Sequence, residues 1–396
     1  MTFKYNKIVI VYENFLYGGT STHLINLLNS SYFKNLDVTI ITNNDNQSIK
    51  SIKKNCKNIN FIFFNSLNVM FLKHKILKAF FFLLKPLLFI ISIAQFYILL
   101  RKVRYKTLLA NCGGYGDFRS EIAAVFSSRL LGIKKNYLLI HHSYRSPKLW
   151  KSIVKVSDFF VLKFLKKIIF VSHATKKTIL KNSGLKPPPK KIVVIHNGVL
   201  IKNENKKIKK IFKNNNNILK IGMLSRIERY KGQEDLIKSL LFLDNKYKSR
   251  IKIFIIGNGE KKYVSRIKTF IHQQKLNKFI VFKKYLNEES KIIVKNFDIL
   301  VSLTRDFEGF GYSLVEAMAH SVPVITTNVG GTKEFLNKNN ANIVKPYDPR
   351  GVSLMIIDYL QNTKKWKKKA KLASIFIKKK FNSEIMSKKY AKIIIS

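Results

Sequence analysis

Two carboxylates, Glu308 and Glu316, and two cations, Arg226 and Lys231, have the residue types and spacing to act on a polyhydroxylated, anionic ligand. A fixed carboxylate can accept hydrogen bonds from two neighbouring hydroxyls, as on a sugar ring or a ribose. An arginine and a lysine bracketing one short loop repel each other unless an anion lies between them, and a diphosphate suits that gap.

These side chains need elements to position them. From Ile299 to Thr327 the chain reads ILVSLTRDFEGFGYSLVEAMAHSVPVITT: a buried strand, a loop with Glu308, Gly309 and Gly311, a helix through YSLVEAMAH, and a second strand after Pro323. That is a βαβ unit, and in an open parallel sheet ligands gather at the carboxyl ends of the strands, where this loop lies. Glu308 is expected to hang over that crevice and Glu316 to enter it from the first turns of the helix. The segment ILKIGMLSRIERYKGQEDLIKSLLFL repeats the pattern. Its strand ends at Ser225 and Arg226, and its helix begins near Gly232 and Gln233, with Glu234 and Asp235 in the first turn, as the helix dipole favours. IKIFIIGNGE is a further strand, with Gly257 and Gly259 placed to receive a nucleobase or ribose edge, and the end of KFIVFKKYL is expected to border the base.

The amino-terminal half is built the same way. KYNKIVIVYENF holds the short strand IVIVY rather than the long apolar run of a signal peptide. The loop FLYGGTSTH follows, where Gly18 and Gly19 let backbone approach a ligand and the next helix start offers N–H groups to an anion. With no third glycine this is not a dinucleotide fingerprint, and a plain turn reads equally well locally. LDVTIITN, INFIFFN, TLLANCGG and NYLLIHHSYRS continue a parallel sheet, the last ending in His141 and His142, which are expected to be exposed to the crevice. Two adjacent histidines without a third ligand give little support to a metal. Asn197 and Gly198 mark a turn, and the polar, asparagine-rich stretch Asn203–Asn217 cannot bury a core, so a linker or surface loop there and a domain boundary near residue 200 are expected.

At 396 residues the chain has room for two α/β domains, each with its own core. Its 74 Lys and Arg against 22 Asp and Glu give a formal net charge of +52. Such a charge attracts nucleic acid, anionic lipid and polyphosphate alike, with a membrane surface the expected partner; compositional drift toward Lys, Asn, Ile and Phe explains the excess equally well. The two cysteines, Cys56 and Cys112, point to a reducing compartment and away from disulfides or a zinc site. Between Ile76 and Leu100 lies ILKAFFFLLKPLLFIISIAQFYILL, flanked by lysines and arginines. Its uninterrupted apolar part is short for a membrane span, so a core helix and a helix lying in the headgroup layer are the main readings, with spanning the weakest.

The string around Glu308 resembles the donor-sugar signature of retaining, GT-B-type glycosyltransferases of the glycogen-synthase-like and mannosyltransferase-like group (group 1, family 4 type). The matching residues are Glu308, Gly309, Phe310, Gly311, Glu316, Ala317, Met318, Ala319, Pro323, Val324, Ile325, Gly330, Gly331 and Glu334. Ser321 departs from the usual glycine, and a left-handed serine or a slightly different turn there would cost on the order of 1 kcal/mol. The resemblance implies an α/β GT-B fold of two Rossmann-like domains facing across a cleft, at 1–200 for the acceptor and 201–375 for the nucleotide sugar, with a helix at 376–396 crossing back to the first. It implies that Arg226 and Lys231 meet the donor diphosphate, that Glu308 holds the sugar hydroxyls and Glu316 the ribose, and that His141 sits beside the donor sugar. Gly18, Gly19, Gly257, Tyr312, Ser313 and Leu314 would complete the donor site with the glycines and Phe310 of the motif. No acidic cluster accompanies the phosphate loop, so neither a metal nor another cofactor is expected, and protein cations take that role.

The implied function is transfer of a hexose or related sugar from a nucleotide-diphosphate sugar to a glycan or polyprenyl-linked acceptor in surface polysaccharide, lipopolysaccharide or glycoprotein-glycan synthesis. The expected place is the cytoplasm, peripheral on the inner face of the cell membrane, with no specific nucleic-acid partner. Two other classes stay open: a nucleotide-sugar epimerase of the same fold, and a non-catalytic basic module that binds membrane or nucleic acid.

Overall fold

The structure, a computed structural model, describes residues 7–15, 17–67, 75–144, 148–201, 218–284 and 293–395. It forms two compact units, one of Met1–Gly198 with Ser383–Ser396 and the other of Val199–Asn382. The expected linker Asn203–Asn217 lies outside the described residues, as do Tyr285 and Leu286, which were expected to border a base.

In the first unit seven strands form one sheet: β1 (Ile8–Tyr12), β2 (Val38–Thr42), β3 (Ile59–Phe63), β4 (Thr107–Cys112), β5 (Lys135–Ile140), β6 (Lys167–Phe170) and β7 (Ile192–Val194). Their order is β3-β2-β1-β4-β5-β6-β7, and neighbours run parallel. The apolar runs explain the architecture: IVIVY and VTIIT are buried at every position, so both sheet faces must be covered by helices. One face carries α1 (Gly19–Leu28) and α2 (Gln47–Asn55), whose Leu24, Leu27, Ile49 and Ile52 share a core with Ile10 and Ile40. The helices α3 (Lys75–Leu83) and α4 (Lys85–Arg101) precede β4, followed in turn by α5 (Ser120–Leu130), α6 (Lys151–Phe164) and α7 (His173–Asn182). Phe89 and Phe96 of α4, Ile122 of α5, Val161 of α6 and Ile179 of α7 pack with Val9, Leu108 and Ile140 in a second core.

The second unit has six strands in the order β10-β9-β8-β11-β12-β13, all parallel. They are β8 (Leu219–Leu224), β9 (Ile251–Ile256), β10 (Ile280–Lys283), β11 (Ile299–Ser302), β12 (Val324–Thr327) and β13 (Asn342–Val344). Its helices are α8 (Gln233–Ser239), α9 (Asn245–Lys248), α10 (Lys261–Gln273), α11 (Tyr312–Ala319), α12 (Pro349–Gln361) and α13 (Thr363–Lys380). Each unit is therefore a Rossmann-like α/β sheet. The strand order reverses between β1 and β4 in the first and between β8 and β11 in the second, and a crevice opens at such a switch point. In the second unit, the loops leaving that point carry Arg226, Lys231 and Glu308.

Residues 376–382, assigned from the sequence to the returning helix, finish α13 and its turn inside the second unit. Phe381 follows the last turn of α13, with its ring buried against Phe335 and Phe310 at centroid separations of 5.5 and 5.9 Å. The returning helix is α14 (Ser383–Ile394), part of the first unit. Tyr137 donates its hydroxyl to the Ile393 carbonyl at 2.7 Å, and Met386, Tyr390 and Ile394 join the α1 core.

The apolar segment 76–100 divides into α3 and α4. Among the described residues no helix is long and apolar enough to cross a membrane. A simple core helix is not found either: α4 buries Phe89, Ser92, Phe96 and Leu100 but leaves Leu87, Ile90 and Ile98 more than half exposed.

Tyr390 is fully buried, so Tyr390→Ala should cost about 3–5 kcal/mol, the usual loss for a large buried aromatic. Urea unfolding measures it; a loss below about 1 kcal/mol would mean that α14 is not part of the first unit's core.

Candidate active site

Lys231 and Glu308, which the sequence assigns to different parts of a ligand, are joined: Lys231 Nζ donates to Glu308 Oε2 at 2.6 Å. Their side chains are only 12% and 15% exposed, so the pair is largely out of water. Thr304 Oγ1 donates to the same carboxylate oxygen at 3.0 Å. Burial is the largest influence and works to lower the Lys231 pKa, but the charge of Glu308, the neighbouring Tyr230 and the hydrogen bond to Glu308 together make the net shift upward. The ammonium thus stays charged across the physiological range, and its bond to Glu308 uses one of its three donors.

The backbone holds this carboxylate in place. Gly330 has φ +58, and a Cβ there would lie 2.2 Å from the Glu308 carbonyl oxygen. Gly331 N–H donates to that same oxygen at 2.7 Å. The double glycine of the motif therefore acts on the Glu308 main chain rather than on a ligand. Gly311, at φ +88, turns the chain from the Glu308 loop into α11.

Arg226 is 41% exposed and held by its own loop, with Nη1 2.8 Å from Glu228 and Nη2 donating to the Tyr230 hydroxyl at 2.9 Å. The loop is pinned from the other side by β9. A Cβ on Gly257 would fall 1.9 Å from the Ser225 carbonyl oxygen, and Ile227 N–H donates to Asn258 O at 2.9 Å. Gly257 itself is buried. It was expected to receive a nucleobase or ribose edge, and the structure gives it a packing role, since only a bare Cα lets the two strand ends approach.

Arg305 escaped the sequence reading. Its guanidinium forks onto Asp235, with Nε to Oδ2 at 2.9 Å and Nη2 to Oδ1 at 2.7 Å, and Nη1 donates to the Arg229 carbonyl at 3.1 Å. Its own N–H donates to Tyr230 O at 2.7 Å, and the guanidinium lies 4.6 Å from the Tyr347 ring centroid. One residue thus ties the Glu308 loop to the Lys231 loop. The bond to Asp235 holds the guanidinium pKa up despite burial. Arginines three residues before a glutamate are common, and nothing in the one-dimensional pattern marks this one as a fork.

Other expected residues separate into two kinds. Glu316 lies on α11 and is 5% exposed, while Ser313 is half-buried and Gly309 buried. Phe310, Tyr312 and Leu314 were also expected in the donor set. Their side chains lie in the apolar core, where the Phe310 and Tyr312 rings meet at 5.4 Å, so only their backbone is available to a ligand.

In the first unit Gly18 is extended, with open space within 4 Å of where a Cβ would point, and Gly19 opens α1. His141 was expected to be exposed to the crevice and is instead 7% exposed. His23 of α1 packs against it at 4.8 Å, and His141 Nε2 lies 2.7 Å from Asn111 Oδ1. Burial, with His23 and His142 adding to it, keeps the His141 pKa well below the usual imidazole value, so the ring is neutral at physiological pH. Burial likewise lowers His23 to about 4. His142 is half-buried, with Nδ1 3.0 Å from Ser143 Oγ. Glu13, at the end of β1, was also missed; it is buried and accepts from the hydroxyls of Ser120 and Ser66.

Residues 202–374 match the family "Glycosyl transferases group 1", a stretch that contains Arg226, Lys231, Glu308 and Glu316. The chain carries a group 1 glycosyltransferase domain. It is 29% identical over 291 residues to the uncharacterized glycosyltransferase MJ1069 of Methanocaldococcus jannaschii, covering 68% of this chain and 72% of that one. It is also 29% identical over 217 residues to the Staphylococcus aureus capsular polysaccharide biosynthesis glycosyltransferase CapM, covering 50% and 56%. Among solved structures, Anabaena HepE, crystallised with UDP and glucose, superposes with a TM-score of 0.73 at 16% identity, covering 98% of this chain and 99% of that one. At that identity the likeness concerns the fold, and the fold is GT-B. The protein is accordingly a glycosyltransferase enzyme with two Rossmann-like units.

Because the Gly330 contact holds the Glu308 main chain, Gly330→Ala should destabilise the second unit by about 2–3 kcal/mol, from left-handed strain and the carbonyl clash together. Denaturant unfolding reads this directly, and a variant as stable as wild type would show that the Glu308 loop moves freely.

Proposed function

We propose that this glycosyltransferase moves a hexose or related sugar, with retention at the anomeric carbon, from a nucleoside-diphosphate sugar to a glycan or polyprenyl-linked acceptor. The observation that carries the donor assignment is the shielded Lys231–Glu308 pair at the switch point of the second unit. It offers a charged donor for phosphate beside a carboxylate for hydroxyls, in a place where water screens neither strongly. HepE's complex with UDP and glucose supports the same donor class, and CapM's role in capsular polysaccharide biosynthesis supports a surface glycan as product.

In this reading Lys231 and Arg226 receive the charge that develops on the β-phosphate as the bond to the anomeric carbon breaks. Lys231 does so with the donors that its bond to Glu308 leaves, and the N–H groups at the start of α11 add to the field. Glu308, oriented by Lys231, Thr304 and the Gly331 N–H, holds sugar hydroxyls that bind more tightly as charge builds on the ring. Glu316 holds the ribose. The neutral His141 positions the donor sugar as a hydrogen-bonding group rather than as a general acid, because its ring carries no ionisable proton to give at physiological pH. Gly18 and Gly19 give the acceptor side a close backbone approach. Retention and the roles of Glu316, His141, Gly18 and Gly19 rest on the family resemblance.

Transfer is proposed to proceed without a divalent metal, since protein cations already occupy the phosphate loop. The acceptor is proposed to be membrane-held at the cytoplasmic face, with anionic lipid retaining the strongly basic chain.

Glu308→Gln should lower turnover by about 10² or more, because it removes the charged hydrogen bonds to the sugar and leaves Lys231 without its counter-charge. Steady-state transfer from a panel of nucleotide sugars, beginning with uridine derivatives, tests this. Unchanged kinetics remove Glu308 from the site. Activity abolished by a chelator and restored by Mg²⁺ would overturn the metal-free assignment.

A further inference from the structure

The first unit bears a surface that its own fold does not use. Helix α4 has no charged residue between Lys85 and Arg101, and is apolar on its outward side as well as its inward one. Leu87, Ile90 and Ile98 recur at spacings of one, two or three turns and are 53%, 62% and 58% exposed. A helix apolar all round belongs in a core or in lipid, and this one has a core on one side only. Helix α6 has the same character. Ile153, Val156 and Phe160 form one exposed stripe, opposite the buried Val154, Asp158 and Val161.

The helices that carry the two stripes are joined through α5 into one platform. Phe126 of α5 lies between the helices, 5.7 Å from Phe89 of α4 and 5.1 Å from Phe164 of α6. At the near end Trp150, just before α6, donates its indole N–H to the Phe82 carbonyl of α3 at 3.1 Å. Cations sit within and around the apolar stripes. Lys151, Lys155 and Lys163 are exposed on α6, the last with its ammonium 4.4 Å from the Phe159 ring centroid, while Arg101 ends α4 and Lys102 and Arg104 follow it.

We propose that this platform is a membrane-insertion surface, in which the outward stripes of α4 and α6 enter the headgroup–acyl boundary of an anionic bilayer while the surrounding lysines and arginines meet lipid phosphates. The inference rests on the membrane part of the functional reading above, and it goes further by naming the contact and adding α6. Apolar patches of this extent rarely stay exposed on a monomer. Charge selects the occupant: a second copy would bring like cations together across the contact, whereas anionic headgroups neutralise them. Lysine stems can run along the apolar stripe and place their ammonium groups at phosphate level.

The experiment is flotation of the full chain with vesicles of phosphatidylglycerol and phosphatidylcholine, and with phosphatidylcholine alone, at low salt and at about 0.5 M salt, where charge-only binding is screened. Wild type should float with anionic vesicles and keep most of its bound fraction in high salt. The triple variants Leu87→Ser/Ile90→Ser/Ile98→Ser and Ile153→Ser/Val156→Ser/Phe160→Ser should each lose the salt-resistant fraction by about tenfold or more while still binding at low salt. A second measurement needs no variant. The chain has two tryptophans, and Trp366 is buried in the second unit, so brominated lipid should quench Trp150 emission from the bound wild type. The proposal is overturned if wild type ignores anionic vesicles at low salt, if both triple variants keep the salt-resistant fraction, or if Trp150 is not quenched. A concentration-dependent dimer that the same variants disperse would assign the platform to a second copy instead. Wild type that transfers sugar to a soluble acceptor but does not float would overturn the surface and leave the transferase reading standing.

Discussion

The site depends on one ion pair held out of water, Lys231 to Glu308 at 2.6 Å. A buried pair contributes little stability by itself, because desolvation of both partners offsets most of their attraction. Its value here is geometric. A lysine kept charged by a carboxylate, and a carboxylate fixed by a lysine and a threonine on a main chain held by the Gly331 N–H, need little reorganisation when a charged ligand arrives. Losing either partner leaves the other charged and unbalanced in a poorly solvated place, which is why the rest of the second unit is arranged to keep both.

That arrangement involves residues distant in sequence. Gly330 and Gly331 close on the main chain of Glu308, Gly257 lets the end of β9 press on the Ser225 carbonyl, and the Arg305 fork on Asp235 ties the two loops together. The Gly330 and Gly257 approaches are below the contact distance any side chain could accept. The switch point between β8 and β11 aims both loops at the same crevice, so topology supplies the direction and close contacts supply the precision.

Much of this was legible in the sequence because it follows from local rules. Apolar runs such as IVIVY, and IKIFII apart from its Lys252, mark strands buried on both faces, and Glu234 with Asp235 marks a helix start. The departure at Ser321 was legible too: the residue takes φ +57, the left-handed conformation that a glycine would adopt at no cost. What escaped depends on pairing across the chain. Nothing near residue 231 shows that its ammonium lies on residue 308, and a strand-end histidine looks accessible until α1 brings His23 against it. Phe310, Tyr312 and Leu314 sit inside the most recognisable motif and still point into the core, because a motif keeps residues for packing as well as for binding. Helix α6 was passed over since its apolar residues, interleaved with lysines, do not announce a buried face; they mostly lie on an exposed one.

The most direct test of the central claim is a double-mutant cycle on sugar transfer with Lys231→Ala, Glu308→Ala and the double variant. If the two side chains act as one unit, the double variant should lose about as much rate as the worse single variant, giving a coupling energy of at least about 1–3 kcal/mol. Losses that simply add would show that Lys231 and Glu308 work independently and would contradict the account.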